Sequence, residues 1–420
     1  AMHIDKRGIS RVDLRASADF TKTGKGDLMG KIDIADLRLE NRLGKHDIGD
    51  ISLTSYSNDN TFTVRLDSEF ANGKYVGSAP VTTFISDLKN ITVKKELPSL
   101  FEDASYTWEG NSYNINFRCT NSLDLLTFIM PGLYIDEGTS VNASLSDKGN
   151  FKADISSDRL AFGKNYLKGF KATFDNLDES LSGNLECDEM RVASIYINDN
   201  NLNLHASDDH MGLKFSYDNH SEMVNMGEFI VNGDISREGE GPVLDMSVIP
   251  SSVYINSKEW NFLPSRLSLK KDMIDVKSFT LASGEEQIRL FGGISQESTD
   301  TLTLNLDRFD LSILNNATAQ NLGIRGAATG KVDLISPMKS KGILADMLCD
   351  SMYIADVALG VLSAGSRWNE EEQNFELYAR NELDGHSNID VSGALSPKDR
   401  SLDAVLLLDR MKGDYCLLYT

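Results

Sequence analysis

The stretch IRLFGGIS (288–295), followed after a turn by LTLNL (302–306), alternates apolar and polar residues with period two. Successive side chains of a β-strand point to opposite faces, so each segment carries one greasy and one polar face. The same form, apolar-x-apolar-x-Gly-x-apolar-Ser, returns as FIVNGDIS (229–236) and IDVSGALS (389–396). Each copy leads through a turn into another alternating strand, at 243–248, 302–306 and 402–408. The repeat glycine moves by 59 residues (Gly233 to Gly292) and then by 101 (Gly292 to Gly393). A divergent repeat of stacked strands is expected, not a propeller or an array of fixed period.

A second pairing joins GDLMGKIDI (26–34) to GAATGKVDL (326–334), which share Gly-x3-Gly-Lys-apolar-Asp-apolar and align Gly30 with Gly330. Glycine at a matched strand position points to a bulge, a sharp coil or close approach of another backbone. Alternation recurs at Ile32-Asp33-Ile34 and Phe62-Thr63-Val64-Arg65-Leu66, with turn clusters such as Asn58-Asp59-Asn60 and Asp147-Lys148-Gly149-Asn150. That rhythm predicts antiparallel hairpins and meanders, on the order of 25 strands. Helix signals are few: Ser122 caps a turn or two up to Met130 before Pro131, and Asp310 to Leu314 forms a similar short piece. Both are expected to plug or corner the sheet. The chain reads as one segment, 1–420, with sub-repeats 1–120, 121–236, 237–314 and 315–420.

The 40% hydrophobic content over 420 residues is that of a folded protein, and only 8 prolines leave long ladders uninterrupted. A formal charge of −21 disfavours nucleic acid and a broad electrostatic hold on anionic headgroups. Lipid contact, if any, is greasy and not basic. Cys119, Cys187, Cys349 and Cys416 are isolated, without zinc spacing, and read as small core residues, although their even number permits disulfides. No secretory signal opens the chain, and Ala1-Met2 reads as a cloning remnant before a strand pattern. The longest uncharged apolar run, 125–135, has 11 residues and is broken by Pro131-Gly132, well short of the roughly 20 that span a bilayer.

Chemistry is weakly indicated. His205, Asp208, Asp209 and His210 form the one compact set of metal-ligand types, at a strand turn, and read as a polar hairpin tip. With 6 histidines, no G-x-S-x-G elbow and no Cys-His signature, nucleophilic catalysis is not expected. Gly24-Lys25-Gly26 lacks the context of a phosphate loop, and Glu285-Glu286 and Glu370-Glu371-Glu372 read as solvated turns. Trp108, Trp260 and Trp368 are read as strand-packing residues, with sugar platforms as the alternative. Neither an enzyme nor a cofactor nor a metal is expected.

The order GDLMGKIDI, VYINSKEWNF (253–262), IRLFGGIS, LTLNLDRFDLSIL (302–314), GAATGKVDLISP (326–337) resembles the large TamB-like members of the AsmA-like family, in the divergent form of Bacteroidota. The resemblance is loose, covers nearly the whole chain and is strongest from about Leu181 to Leu408. It implies an all-β fold: an elongated, twisted antiparallel sheet curled into an apolar groove (a β-taco), with one or two short helices. It further implies a periplasmic piece of a protein anchored in the inner membrane, carrying phospholipid or another acyl-chain lipid between the membranes. The family's anchor and the region that meets an outer-membrane β-barrel partner are missing from these residues, so a direct barrel contact is not expected here. The greasy faces at Ile288, Leu290, Leu302, Leu304, Leu306, Ile389 and Val391 then line a lipid groove or fill an ordinary sandwich core. Gly30, Gly233, Gly292, Gly330 and Gly393 are the structural repeat glycines. The rival readings are a scaffold for outer-membrane protein assembly acting through sheet edges, and a surface adhesin or carbohydrate-binding β-sandwich.

Overall fold

Period-two alternation becomes 27 strands among the described residues, all paired antiparallel. The computed structural model describes residues 11–22, 28–103, 105, 108–192, 195–239, 241–295, 300–313, 315, 323–335, 342–355, 357–369, 371–396 and 401–409. Ala1-Met2, Gly24-Lys25-Gly26, Leu314, Glu370 and Cys416 lie outside them. Two compact units divide the chain, Ala1–His220 and Ser221–Thr420.

The first unit opens with β1 (Arg11–Lys22), β2 (Leu28–Asn41), β3 (Gly44–Asn58), β4 (Thr61–Ser68) and β5 (Ala71–Gly77). Helix α1 (Val81–Lys89) follows, then β6 (Tyr113–Cys119), α2 (Leu123–Ile129), β7 (Leu133–Ile135) and β8 (Ser140–Leu145). It ends with β9 (Phe151–Phe162), β10 (Asn165–Asp175), β11 (Leu181–Val192), β12 (Ile195–Ser207) and β13 (His210–Asp218). Neighbours in sequence pair as a meander, except that β6 pairs with β8, while β7 adds to the end of β9. Asp59-Asn60 and Asp208-Asp209 have positive φ at both positions, the signature of the tight hairpin turn that matches strand twist.

Both helices lie on the apolar face of this sheet. The α1 side chain Phe84, with Ile91 in the π turn that follows, packs with Tyr75, Tyr113, Leu145 and Phe151. Phe128 of α2 packs with Leu37, Leu39 and Ile48. Helix α2 starts after Ser122 and stops before Pro131 as the sequence predicts. The Ser122 hydroxyl does not cap it, and donates instead to the Ile135 carbonyl at 3.3 Å. The second predicted helix is a single 3-10 turn, Leu311–Ile313.

The second unit contains β14 (Met226–Glu238), β15 (Gly241–Ile249), β16 (Ser251–Ile255), β17 (Lys258–Phe262) and β18 (Ser265–Lys270). These lead to β19 (Met273–Ser283), β20 (Glu286–Ser295), β21 (Thr301–Asp310), β22 (Arg325–Ile335) and β23 (Gly342–Ile354). The last are β24 (Val357–Asn369), β25 (Asn374–Glu382), β26 (Ile389–Ser396) and β27 (Ser401–Leu408). The three repeat motifs fall in β14, β20 and β26, and each is the first strand of a hairpin with the strand after it. VYINSKEWNF is the β16–β17 hairpin, which pairs on either side with β14 and β19.

Register shifts line up from strand to strand. In the second unit they fall between Leu306 and Phe309, Arg325 and Ala327, and Cys349 and Met352, on adjacent strands. A β-bulge bends its strand, so neighbouring bulges at one level bend the sheet along a line.

Candidate functional site

Residues directly opposed in an antiparallel pair share a face. Leu302, Leu304 and Leu306 of β21 oppose Gly292, Leu290 and Ile288 of β20 on one side, and Leu334, Val332 and Gly330 of β22 on the other. The same face continues through Ile343, Ala345 and Met347 to Ala364 and Ser366, then to Leu377 and Ala379, and reaches Val391 of β26. All seven residues singled out in the sequence therefore lie on one continuous apolar face. Leu302 is buried and the other six are half-buried.

A cavity of about 840 Å³ opens on this face over β22 to β26, within the usual range of small-molecule sites. Its walls include Leu334, Ile343, Met347, Phe375, Leu377 and Leu395. None of the seven residues named in the sequence lines it; they flank it. The signal for the lining was present as alternation in Phe375-Glu376-Leu377, but five strands had to be brought into register before it made a site.

Polar groups in the lining are already committed. The Ser366 hydroxyl donates to the Ile343 carbonyl at 2.5 Å and accepts from the Ala345 N–H at 3.0 Å. Tyr378 borders the cavity, but its side chain is on the opposite face, where its hydroxyl donates to Asp346 at 3.1 Å; burial first, then that bond, raises its pKa above the ordinary phenol value. Phe375 is buried against Trp368, with ring centroids 4.6 Å apart. Such a wall offers dispersion and desolvation to hydrocarbon, and neither charge nor an orienting polar group.

The other ends of these strands are filled. Leu311 of the 3-10 turn and Ile324 pack on Met352 and Leu359, and Ile389 joins that cluster. Trp260 of β17, 1% exposed, lies 6.2 Å from the ring of Phe309. The opposite face carries the polar residues: Lys331 pairs with Asp333 at 2.7 Å, the Thr303 hydroxyl donates to Asp333 at 2.6 Å, and Arg289 donates to Gln287 at 2.6 Å. Lys331 and Arg289 stay in water, whereas Thr303 is buried and Asp333 largely covered, so this face is polar without being fully solvated.

Gly30 and Gly330 share one backbone geometry, with φ of +153° and +155°. A Cβ there would fall 1.9 Å from the Asp19 carbonyl oxygen and 2.2 Å from that of Asp346, so a neighbouring strand closes on each. Gly292 has φ +113° and comes equally near Thr301, while Gly233 and Gly393 oppose Met246 and Ala404.

His205 and His210 flank the Asp208-Asp209 turn of the β12–β13 hairpin. Asp209 accepts from the backbone N–H and the hydroxyl of Ser99, both at 2.8 Å, and so ties the α1 segment to that turn. Cys119, Cys187 and Cys349 are free thiols whose pKa values burial pushes up. Trp108 packs beside the α1 cluster, ahead of β6. Comparison with protein-family models, curated proteins and solved structures returned no match.

Proposed function

We propose that the chain shields lipid acyl chains on the apolar face of its bent sheet, as a periplasmic segment of a bridge that carries phospholipid between inner and outer membranes. One observation carries the reading: a cavity of about 840 Å³ on a continuous apolar face, with the Ser366 hydroxyl of its wall bonded within the protein. Moving a 16-carbon chain into water costs about 0.8 kcal/mol per methylene, roughly 12 kcal/mol in all, so such a wall removes most of a large barrier. The TamB-like order of motifs supports the envelope setting. The outer face, with its paired charges, faces solvent in this reading.

The test is detergent-free purification from bacterial cells, solvent extraction and mass spectrometry against a soluble control of similar size. Bound phospholipid near one or more per chain is expected. Leu377→Glu, which puts a charge in the wall, and Ala364→Trp, which fills it, should each strip the lipid while the fold survives. A lipid-free wild-type protein contradicts the proposal.

The assembly-scaffold reading has one observation in its favour. Leu402, Val405, Leu406, Leu407 and Leu408 of β27 are all more than half exposed, and the strand's second edge is unpaired among the described residues. An edge of that kind accepts a further strand. Capture of unfolded barrel segments with no bound lipid would favour it. Against the carbohydrate reading, Trp260 is buried, Trp368 is packed on Phe375 and half-buried Trp108 packs beside the α1 cluster.

A further inference from the structure

Exposure along the apolar face of the second unit changes from one end of its strands to the other. At the rim where β22 leads into β23 and β26 into β27, Ile343 is 54% and Leu395 38% exposed, and both line the cavity. Cys349 lies six residues inward along β23, about 20 Å at the rise of a strand. Strand register sets it in a row of Phe309, Ala328, Cys349, Leu362 and Asn381 on the same face. Ala328 and Asn381 in that row are each 1% exposed.

An end wall accounts for the difference. Leu311 of the 3-10 turn, Ile324 and Ile389 pack on Met352 and Leu359, and Cys349 and Leu362 join the same cluster. Asn315 fastens the wall, since its Nδ2 donates to the Ile324 carbonyl at 2.7 Å and its Oδ1 accepts from the Ile324 N–H at 2.8 Å. The Asn381 amide is spent within the protein: Nδ2 donates to the Leu359 carbonyl at 2.8 Å, and Oδ1 accepts from the N–H groups of Asn388 and Ile389 at 2.9 and 2.7 Å. Met347 and Ala364, one step nearer the rim than Cys349 and Leu362 on the same face, line the cavity. The hollow therefore meets water at one end and a closed apolar wall at the other.

We propose that this cavity is a slot of fixed depth, which a lipid acyl chain enters methyl end first from the rim at Ile343 and Leu395 and fills as far as the wall built by Leu311 and Ile324. The inference rests on the acyl-chain reading above and adds to it a direction and a length limit. Direction follows from charge: the wall offers no partner to an ionised head, whose burial unpaired is costly, whereas the rim leaves it in water. The limit follows from area: methylenes gain by burial only up to the wall, and carbons beyond the depth of the slot stay at the rim.

A fluorescent fatty acid bound to the full chain is displaced by saturated fatty acids of increasing length. Affinity should rise about fourfold with each methylene, the ~0.8 kcal/mol of its burial, and then level off. Leu311→Ala combined with Ile324→Ala, which opens the wall, should move the plateau to longer chains. A rise that never levels, or a plateau that the double variant leaves in place, overturns the inference. Because the double variant thins a packed cluster, its thermal melt is recorded, and a second measurement needs the wild type alone. A fatty acid with a diazirine at its methyl end should label Met347 or Ala364, and one with the diazirine beside the carboxylate should label Ile343 or Leu395. Reversed or indistinguishable labelling overturns the inference and leaves acyl-chain binding standing. Failure of every fatty acid to bind overturns the acyl-chain reading and this inference together.

Discussion

Gly330 and Gly284 separate two reasons for glycine at single positions. At Gly284, φ is +58° with nothing near the missing Cβ, so alanine meets only the left-handed backbone cost, about 1 kcal/mol. At Gly330 the new methyl group would also meet the Asp346 carbonyl at 2.2 Å, and the strand must move. Chemical denaturation should show Gly330→Ala losing about 2–4 kcal/mol and Gly284→Ala about 1. A second residue-scale expectation concerns pH. Burial, with the bond to Asp87, pushes the Tyr113 hydroxyl up to about 12, and burial raises Tyr75 beside it. An acid whose folded pKa is raised stabilises fully below its unfolded value, near 10, and loses that stability as pH rises toward the folded value. Stability should fall between pH about 10 and about 12, and Tyr113→Phe should flatten that fall in a pH series of denaturation curves. The paired glycine motifs were visible in the sequence as a pattern, whereas their shared φ and their closeness to a partner strand depend on residues far along the chain.

Among elements, strands were the legible part because period two is local. Helix α1 was not, and its sequence explains why. VTTFISDLK is rich in β-branched residues that favour strands, although Phe84, Leu88 and Ile91 recur at helical spacing. Packing of those three on Tyr75 and Tyr113 overrides the local preference. The segment is held at its far end by Asp209, which receives two bonds from Ser99 while its own N–H donates to the Glu96 carbonyl at 2.8 Å. Asp209→Ala should cost about 1–3 kcal/mol and speed proteolysis within 90–103, read by limited digestion, with cleavage elsewhere unchanged. The cavity was likewise illegible. Alternation says that a strand has two faces, but a bulge shifts parity without a local mark, and Ile343-Leu344 offers an apolar residue to each side.

At the scale of the molecule, the second unit sorts its chemistry by face. Leucine, isoleucine and methionine from successive strands form one side, and paired charges form the other, with no covering layer of helix over the cavity among the described residues. The apolar wall with a hollow beside it is the feature on which the proposed hydrocarbon occupant rests. Leu377 and Glu376 are chain neighbours on opposite faces of β25, so they report the occupied side without confounding position along the sheet. The direct measurement is in-cell photo-crosslinking with the reactive residue placed at each in turn, followed by mass spectrometry of the adducts. Lipid adducts at Leu377 and none at Glu376 are expected. Equal labelling at both, or none at Leu377, would contradict the account.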